Sequence, residues 1–267
     1  MMATTPSPSV IMSIPSLSLR AIAGIPLVVR GDDLATIIVA ALRAGGESLQ
    51  DGDILAVAQK IVSKAAGRIV DLGTVVPSAR ALELASQAGK DPRQVELILA
   101  ESRRVLRCKP GVIIVEHRSG VVLANAGIDR SNVGGDDGHE WVTLLPEDAD
   151  AAAADLRQRI AALSGRRIGV IVTDSIGRAW RLGTTGVAIG AAGVRVLHDQ
   201  RGSHDLFGRE LHVTMTADAD SLAAAACLLM GEGRDATPVV LIRGFAAPDP
   251  GHGARHLLRP MDEDLFR

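Results

Sequence analysis

A run of β-branched residues and glycine, Ile168 to Val172, ends abruptly at Thr173-Asp174-Ser175. Such a short apolar run is a buried strand. In layered α/β proteins ligands gather at the carboxyl ends of strands, so this Asp is aimed at a site rather than into a core. A second segment has the same build: Gly120 to Ala124 is strand-like and delivers Asn125-Ala-Gly-Ile-Asp-Arg-Ser-Asn132, with Asp129 at its centre. In both, Ser or Asn follows the Asp within three residues and Arg is close by. Carboxylate and hydroxyl oxygens suit Mg²⁺ or Mn²⁺, which take few protein ligands and share the rest with phosphate. Guanidinium groups clamp phosphate or carboxylate. On residues alone, the chain reads as a nucleotide-using enzyme.

The rest of the chain alternates strands and helices. Ala23 to Val29 reads as a strand, closed by Gly31-Asp32-Asp33, either Asp of which can cap a helix from Leu34 to Arg43. Asp53 to Ala58 is strand-like. Ser78 to Ala88 and Pro92 to Glu101 read as helices, and Gly111 to His117 forms a hairpin with Gly120 to Ala124 around Arg118-Ser119-Gly120. A polar loop, Gly134 to His139, precedes an Ala-rich helix from Pro146 to Leu163, with acidic residues first and Arg later, as the helix dipole favours. Val187 to Val196 is apolar and Gly-rich, so backbone there approaches another strand or a ligand. Leu211 to Met215 and Val239 to Ile242 are strands flanking a helix from Ala219 to Met230. Helices alternating with strands and hairpins predict an α/β protein with mixed sheets. Residues 1–18 read as a frayed tail before one unit over 19–267.

Lys60 and Lys64 point the same way on either a helix or a strand. Two neighbouring ammonium groups repel unless solvent screens them or an anion sits between them. Aromatic residues make up only 2%, with no Tyr, and net charge is −2 with no basic block. Those figures argue against nucleic-acid stacking and anionic membranes. Cys108 and Cys227 have no zinc or redox spacing and read as reduced thiols, which fits a cytoplasm. No apolar run approaches the roughly 18 residues that span a bilayer.

At Lys60 to Arg68, Asn125 to Asn132 and Val172 to Gly190 the sequence resembles the coenzyme F420-0:γ-glutamyl ligases. The likeness runs from about Gly24 to Leu265, through Asp199 to Leu211, Met230-Gly231 and Ala254 to Pro260. It stops where bacterial two-domain members continue into a flavin-reductase-like domain. The resemblance implies a two-lobed mixed α/β fold, an intertwined homodimer, and GTP-dependent joining of L-glutamate to the lactyl carboxylate of the deazaflavin F420-0. It implies two Mg²⁺ or Mn²⁺ sites and assistance by K⁺. Carried over by motif, Asp129 and Asp174 hold one metal, and Ser175 and Glu232 the other. Ile25, Pro26, Leu27, Val28, Gln59, Lys60, Lys64 and Asn132 meet GTP, together with the loop Met230, Gly231, Glu232, Gly233, Arg234, Asp235, Ala236 and Thr237.

The sequence departs from the family pattern at Ala66 and Ser221, where Glu is usual, at Ser175, where Thr is common, and at Glu232, where some members have Gln. Ala66 and Ser221 bear on fine specificity more than on nucleotide chemistry. Arg178 and Arg181 are the candidates to hold a substrate carboxylate or a transferring phosphoryl group. His198, His204 and Asp205 are candidates to take a proton from the glutamate amine, with none preferred. Three rivals stay open at this stage: an amide ligase for another carboxylate, a two-metal phosphohydrolase, which the Lys60/Lys64 pair argues against, and a non-catalytic nucleotide-binding relative.

Overall fold

The computed structural model describes residues 15–134, 138–245, 249 and 251–264. Residues 1–14 of the expected tail and 135–137 of the expected polar loop lie outside the described residues. In chain order the elements are β1 (Ser18–Ala21), α1 (Leu34–Ala44), β2 (Ile54–Ala58), α2 (Gln59–Ala65), β3 (Ile69–Asp71), α3 (Ala79–Ala88), α4 (Pro92–Ala100), β4 (Ser102–Lys109), β5 (Val112–His117) and β6 (Val122–Ala124). They continue as β7 (Trp141–Thr143), α5 (Ala149–Ser164), β8 (Gly169–Arg178), β9 (Arg181–Ala192), β10 (Leu197–Asp199), β11 (Met215–Ala217), α6 (Asp218–Met230) and β12 (Val239–Arg243).

Side chains alternate across a strand, and that period builds the main layer. Leu55, Val57, Val170, Val172, Val239 and Leu241 pack on one face with residues of α1 and α5. Ile54, Ala56, Ile171, Val240 and Ile242 pack on the other with Ala219, Leu222, Ala223 and Ala226 of α6. Being covered on both faces, these strands are apolar almost throughout. The sheet order is β1-β12-β2-β8-β9. Only β2 and β8 run parallel, in a register that ends at Ala58 opposite Thr173; the other pairs are antiparallel. The sheet is therefore mixed, as the alternation of elements implies.

A third core lies under α3 and α4, where Leu84, Ala85, Val95 and Ile98 cover Ile113 and Val115 of the antiparallel β4-β5-β6 sheet. Local chemistry sets the helix starts. Asp33, not Asp32, caps α1 by accepting from Thr36 N at 3.1 Å, while Asp32 accepts from Val29 N at 2.8 Å. Asp148 caps α5 through Ala151 N at 3.0 Å, so that helix begins three residues later than its Pro146 start suggests.

Several expectations shift. The first strand is β1, paired to β12, whereas 23–29 has no regular structure. Gly24 takes φ +80° there, and Pro26 has no N–H for a ladder. Ser18, assigned to the tail, already belongs to β1. Leu211 to Met215 contributes only its last residue to a strand, β11. β4 was not expected, because four basic residues on a half-exposed strand hide its alternation. The close approach expected at Val187 to Val196 is made to a strand, since β9 pairs with β8 as far as Ala192, and to helices as well: a Cβ at Gly190 would strike the Ala149 carbonyl oxygen, and one at Gly186, just before this stretch, would lie 2.5 Å from that of Ala223. Glycine thus lets β9 lie directly against α5 and α6.

Candidate functional site

The carboxyl ends of the parallel pair β2 and β8 open onto one cavity of about 420 Å³. Chain direction puts chemistry there from both strands. β2 passes straight into α2, whose i, i+4 spacing sets Lys60 and Lys64 on one face. β8 carries Thr173, Asp174 and Ser175 to the same rim. The segment after β6 supplies Asp129, which is fixed to Thr143 by a two-way backbone bridge of 3.1 and 2.9 Å.

The Asp129 carboxylate accepts from Ser131 N at 2.7 Å and Ser131 Oγ at 2.9 Å. Lys60 Nζ lies 2.7 Å from Asp129 Oδ2 and donates to Ser131 Oγ at 2.8 Å and its carbonyl at 3.0 Å. Lys64 Nζ donates to the Asn132 carbonyl at 2.6 Å. Asn132, at φ +54°, extends Nδ2 to Gly233 O at 3.4 Å, and Ser175 Oγ donates to Glu232 Oε2 at 3.0 Å. The loop after α6 is thereby tied to both the Asp129 segment and β8. Ala236 in that loop also takes φ +53°. Two non-glycine residues held left-handed at one cavity is the kind of strain that surrounding structure must impose.

The carboxyl groups differ in their surroundings. Burial pushes Asp129 up, but the hydrogen bonds from Lys60 and Ser131 and the Lys60 charge outweigh it and hold Asp129 below the usual range. Asp174 is pushed up to about 7, first by burial and then by the negative charges of Asp129 and Glu232, against a hydrogen bond from Ser175 N. Burial and the neighbouring Lys60 push Lys64 down. A carboxyl group so disfavoured as an anion is one that a bound cation would return to the ionised form. Among the described residues no three His, Cys, Asp or Glu side chains gather closely enough to cage an ion alone. That donor set does not fit an all-protein cage. It fits a hard ion that takes one or two carboxylates and a hydroxyl and leaves its other positions to phosphate and water.

The cavity gathers most of the residues singled out from sequence. Ile25 to Val28, Gln59, Lys60, Lys64, Asp129, Asn132, Asp174, Ser175 and the Met230 to Thr237 loop line it, except Asp235. Asp235 instead folds the loop, accepting from Gly233 N at 3.3 Å. Arg178 and Arg181 are not brought to the cavity; they sit exposed at the turn joining β8 to β9. His198, His204 and Asp205 also lie outside its lining, as do Ala66, which ends α2, and Ser221, which bonds back to Ala217 O at 3.0 Å. Ser131, Thr173 and Cys227 line the cavity without having been singled out. Ser131 was legible as the hydroxyl two residues after an Asp. Cys227 carried no signal, and only the approach of α6 to β8 places its Sγ 3.6 Å from Thr173 Oγ1.

A family model described as F420-0:Gamma-glutamyl ligase matches residues 23–244. The chain is 46% identical over 256 residues to coenzyme F420:L-glutamate ligase of Methanothermobacter thermautotrophicus, covering 94% of this chain and 99% of that one. It is 46% identical over 244 residues to the protein of that name from Methanopyrus kandleri, covering 89% and 92%. With that of Methanocaldococcus jannaschii it shares 42% over 219 residues, covering 82% and 86%.

Proposed function

The chain belongs to the F420-0:gamma-glutamyl ligase family, and from that premise we propose that it joins L-glutamate to coenzyme F420-0 at the expense of GTP, in coenzyme F420 biosynthesis. The observation that carries this reading is the convergence of Lys60, Lys64, Asp129, Asp174, Ser175 and Glu232 on one cavity.

A carboxylate oxygen is a poor leaving group, so amide formation needs activation. In the proposed reaction the substrate carboxylate attacks the γ-phosphorus of GTP. A P–O bond forms to the acyl oxygen, the bond to the β-phosphate oxygen breaks, and GDP leaves. The glutamate amine then attacks the acyl carbon, the C–O bond to phosphate breaks, inorganic phosphate departs and the nitrogen gives up its proton. Later glutamates add through γ-linkages by the same sequence.

Phosphoryl transfer rests mainly on positioning and charge neutralisation. Lys60, held by Asp129 and Ser131, presents a fixed ammonium to the phosphates, and Lys64 a second one beside Asn132. Asp129 and Asp174 would hold one Mg²⁺ or Mn²⁺, and Ser175 and Glu232 another. Such ions would offset repulsion between the triphosphate and the incoming carboxylate. K⁺ as a helper follows from the resemblance.

The assignment of Arg178 and Arg181 to catalysis calls for a second copy of the chain. Their arm is exposed, with Trp180 and Leu182 on it each at least 89% exposed, and Leu206 and Phe207, on the segment between β10 and β11, are each at least 88% exposed. Apolar side chains so uncovered mark an association surface, and we read the protein as a homodimer in which the arm is covered. The two free cysteines accord with a cytoplasmic setting.

The test is incubation with GTP, Mn²⁺, glutamate and F420-0, followed by mass spectrometry. Glutamate-sized mass increments are expected from the wild type and none from Asp174→Ala, whose thermal midpoint should stay at or above that of the wild type because a carboxyl group disfavoured as an anion is gone. Bare phosphate release would indicate a hydrolase, and full activity in Asp174→Ala would remove this carboxylate from the chemistry.

A further inference from the structure

A second cavity, of about 630 Å³, adjoins the first and shares Leu27, Val28, Lys64 and Asn132 with it as a common wall. It is large enough for a cofactor-sized molecule. No Asp or Glu lines it; its charged groups are Arg30 and Lys64, and its broad apolar surfaces are Trp141 and Ile69.

Its recognising side chains are set in place by close backbone approaches. Gly31 N donates to Ala65 O at 2.9 Å, which draws the Arg30 segment onto the end of α2. Arg30 then lies across Gly67, where a Cβ would come 2.8 Å from Arg30 Nε. Gly67 also takes φ +72°, a conformation that side chains disfavour. On the opposite wall Gly134, at φ +80°, lies so close to Trp141 that a Cβ would strike the indole. Trp141 is fixed from below by the pairing of β7 with β3, opposite Asp71. Among the described residues Arg30 has no carboxylate within ion-pair distance, although most arginines of this chain do.

We propose that this second cavity is the acceptor subsite, which stacks the planar deazaflavin ring of the carboxylate substrate near Trp141 and directs its anionic chain past Arg30 toward the phosphates. The proposal rests on the ligase reading and deepens it. A two-substrate phosphoryl transfer needs the nucleotide and the acceptor to meet from different sides. The two cavities meet at Leu27, Val28, Lys64 and Asn132, and Asp129, Asp174, Ser175 and Glu232 line only the first. A guanidinium without a carboxylate partner attracts an anion, and an aromatic wall contributes stacking. A cavity with no carboxylate is also a poor match for a guanine base, whose ring N–H and amino donors are commonly met by one.

The experiment is steady-state kinetics of the Mn²⁺-loaded enzyme with F420-0 and GTP varied separately, for wild type, Arg30→Gln and Trp141→Leu. A rise of about tenfold in KM for F420-0, with KM for GTP within twofold of the wild type, is expected from both variants. Trp141→Leu could loosen β7, so Arg30→Gln, which removes an exposed side chain, decides the case. A KM change confined to GTP would assign the cavity to the nucleotide, and no change in either would overturn the proposal. If the wild type adds no glutamate, the ligase reading falls, and titration of F420-0 fluorescence anisotropy decides the subsite separately. Binding weakened in Arg30→Gln sustains it, and binding that is absent or unaltered refutes it.

Discussion

Gly186→Ala is the substitution that most directly couples packing to the site. Gly186 is buried and pairs with Ser175 across the β8–β9 ladder, beside the Asp174–Val187 pair. A Cβ there would overlap Cys227 Sγ and lie 2.5 Å from the Ala223 carbonyl oxygen. Real Cβ contacts stay beyond 3.0 Å, so helix and strand must separate by at least about 0.5 Å. The thiol can rotate away, but the carbonyl belongs to a hydrogen-bonded helix and cannot. Overpacking of this kind costs about 1–3 kcal/mol, and a backbone obstacle places it in the upper half. Against that, replacing Gly by Ala restricts the unfolded chain by about 0.4–1 kcal/mol. The net loss is roughly 1–2.5 kcal/mol, or about 2–10 °C in melting midpoint for a domain of this size. Gly177→Ala is the control: the same arm, no positive φ, and no atom within 4 Å of the added Cβ. It should melt within about 0.5 kcal/mol of the wild type. Thermal unfolding followed by far-UV circular dichroism at one scan rate compares the two. Because the shift falls at the Ser175 register, Gly186→Ala should also raise the Mn²⁺ concentration needed for half-maximal glutamate addition. Equal melting of Gly186→Ala and Gly177→Ala, in either direction, would refute the packing argument.

Two further predictions concern charge. Arg243 Nε and Nη2 donate to the two Asp53 oxygens at 2.8 and 2.7 Å, and Asp53 is 1% exposed; Arg243→Met leaves that carboxylate with Gln50 N at 2.7 Å and should cost about 3 kcal/mol in urea unfolding. Adding Asp53→Asn should recover part of the loss, and strict additivity of the two single changes would show that the groups do not interact. Burial pushes Glu101 up, but His117 and the Arg68 and Arg118 charges together hold it below its ordinary value of 4.5. A folded value below the unfolded one means that the stabilisation is present above about pH 4.5 and is lost as pH falls toward the folded value. Urea midpoints should therefore drop through this acid window, less so in Glu101→Gln, and parallel acid profiles for the two proteins would remove Glu101 from the cause.

The legibility of this chain differed sharply between its layers, for physical reasons. Strands covered on both faces, such as β2, β8 and β12, declare themselves by unbroken apolar runs. β4 faces solvent on one side, and Arg103, Arg104, Arg107 and Lys109 mask its apolar positions, so only its pairing with β5 reveals it. The segment 23–29 failed in the opposite sense: its apolar residues are there to wall a cavity, and hydropathy alone does not separate that use from a strand. At the site, Asp129 and Asp174 could be picked out because each stands where an apolar run stops. Their sharing of one cavity could not, since it depends on the parallel register of β2 and β8 and on the Asp129–Thr143 bridge, neither of which is local. The same holds for the acceptor cavity. Arg30, Lys64 and Trp141 are distant in sequence; Lys64 stands out only beside Lys60, and Arg30 and Trp141 carry no signal of their own. What distinguishes Arg30 and Trp141 is two glycines, Gly67 and Gly134, whose missing Cβ leaves room for those side chains to lie against the backbone. A glycine in sequence signals only that some close approach occurs. The nature of the approaching group is set by the tertiary fold, which is why Gly186 and Gly190 proved to accommodate helices rather than a ligand, while Gly67 and Gly134 shape a cavity wall.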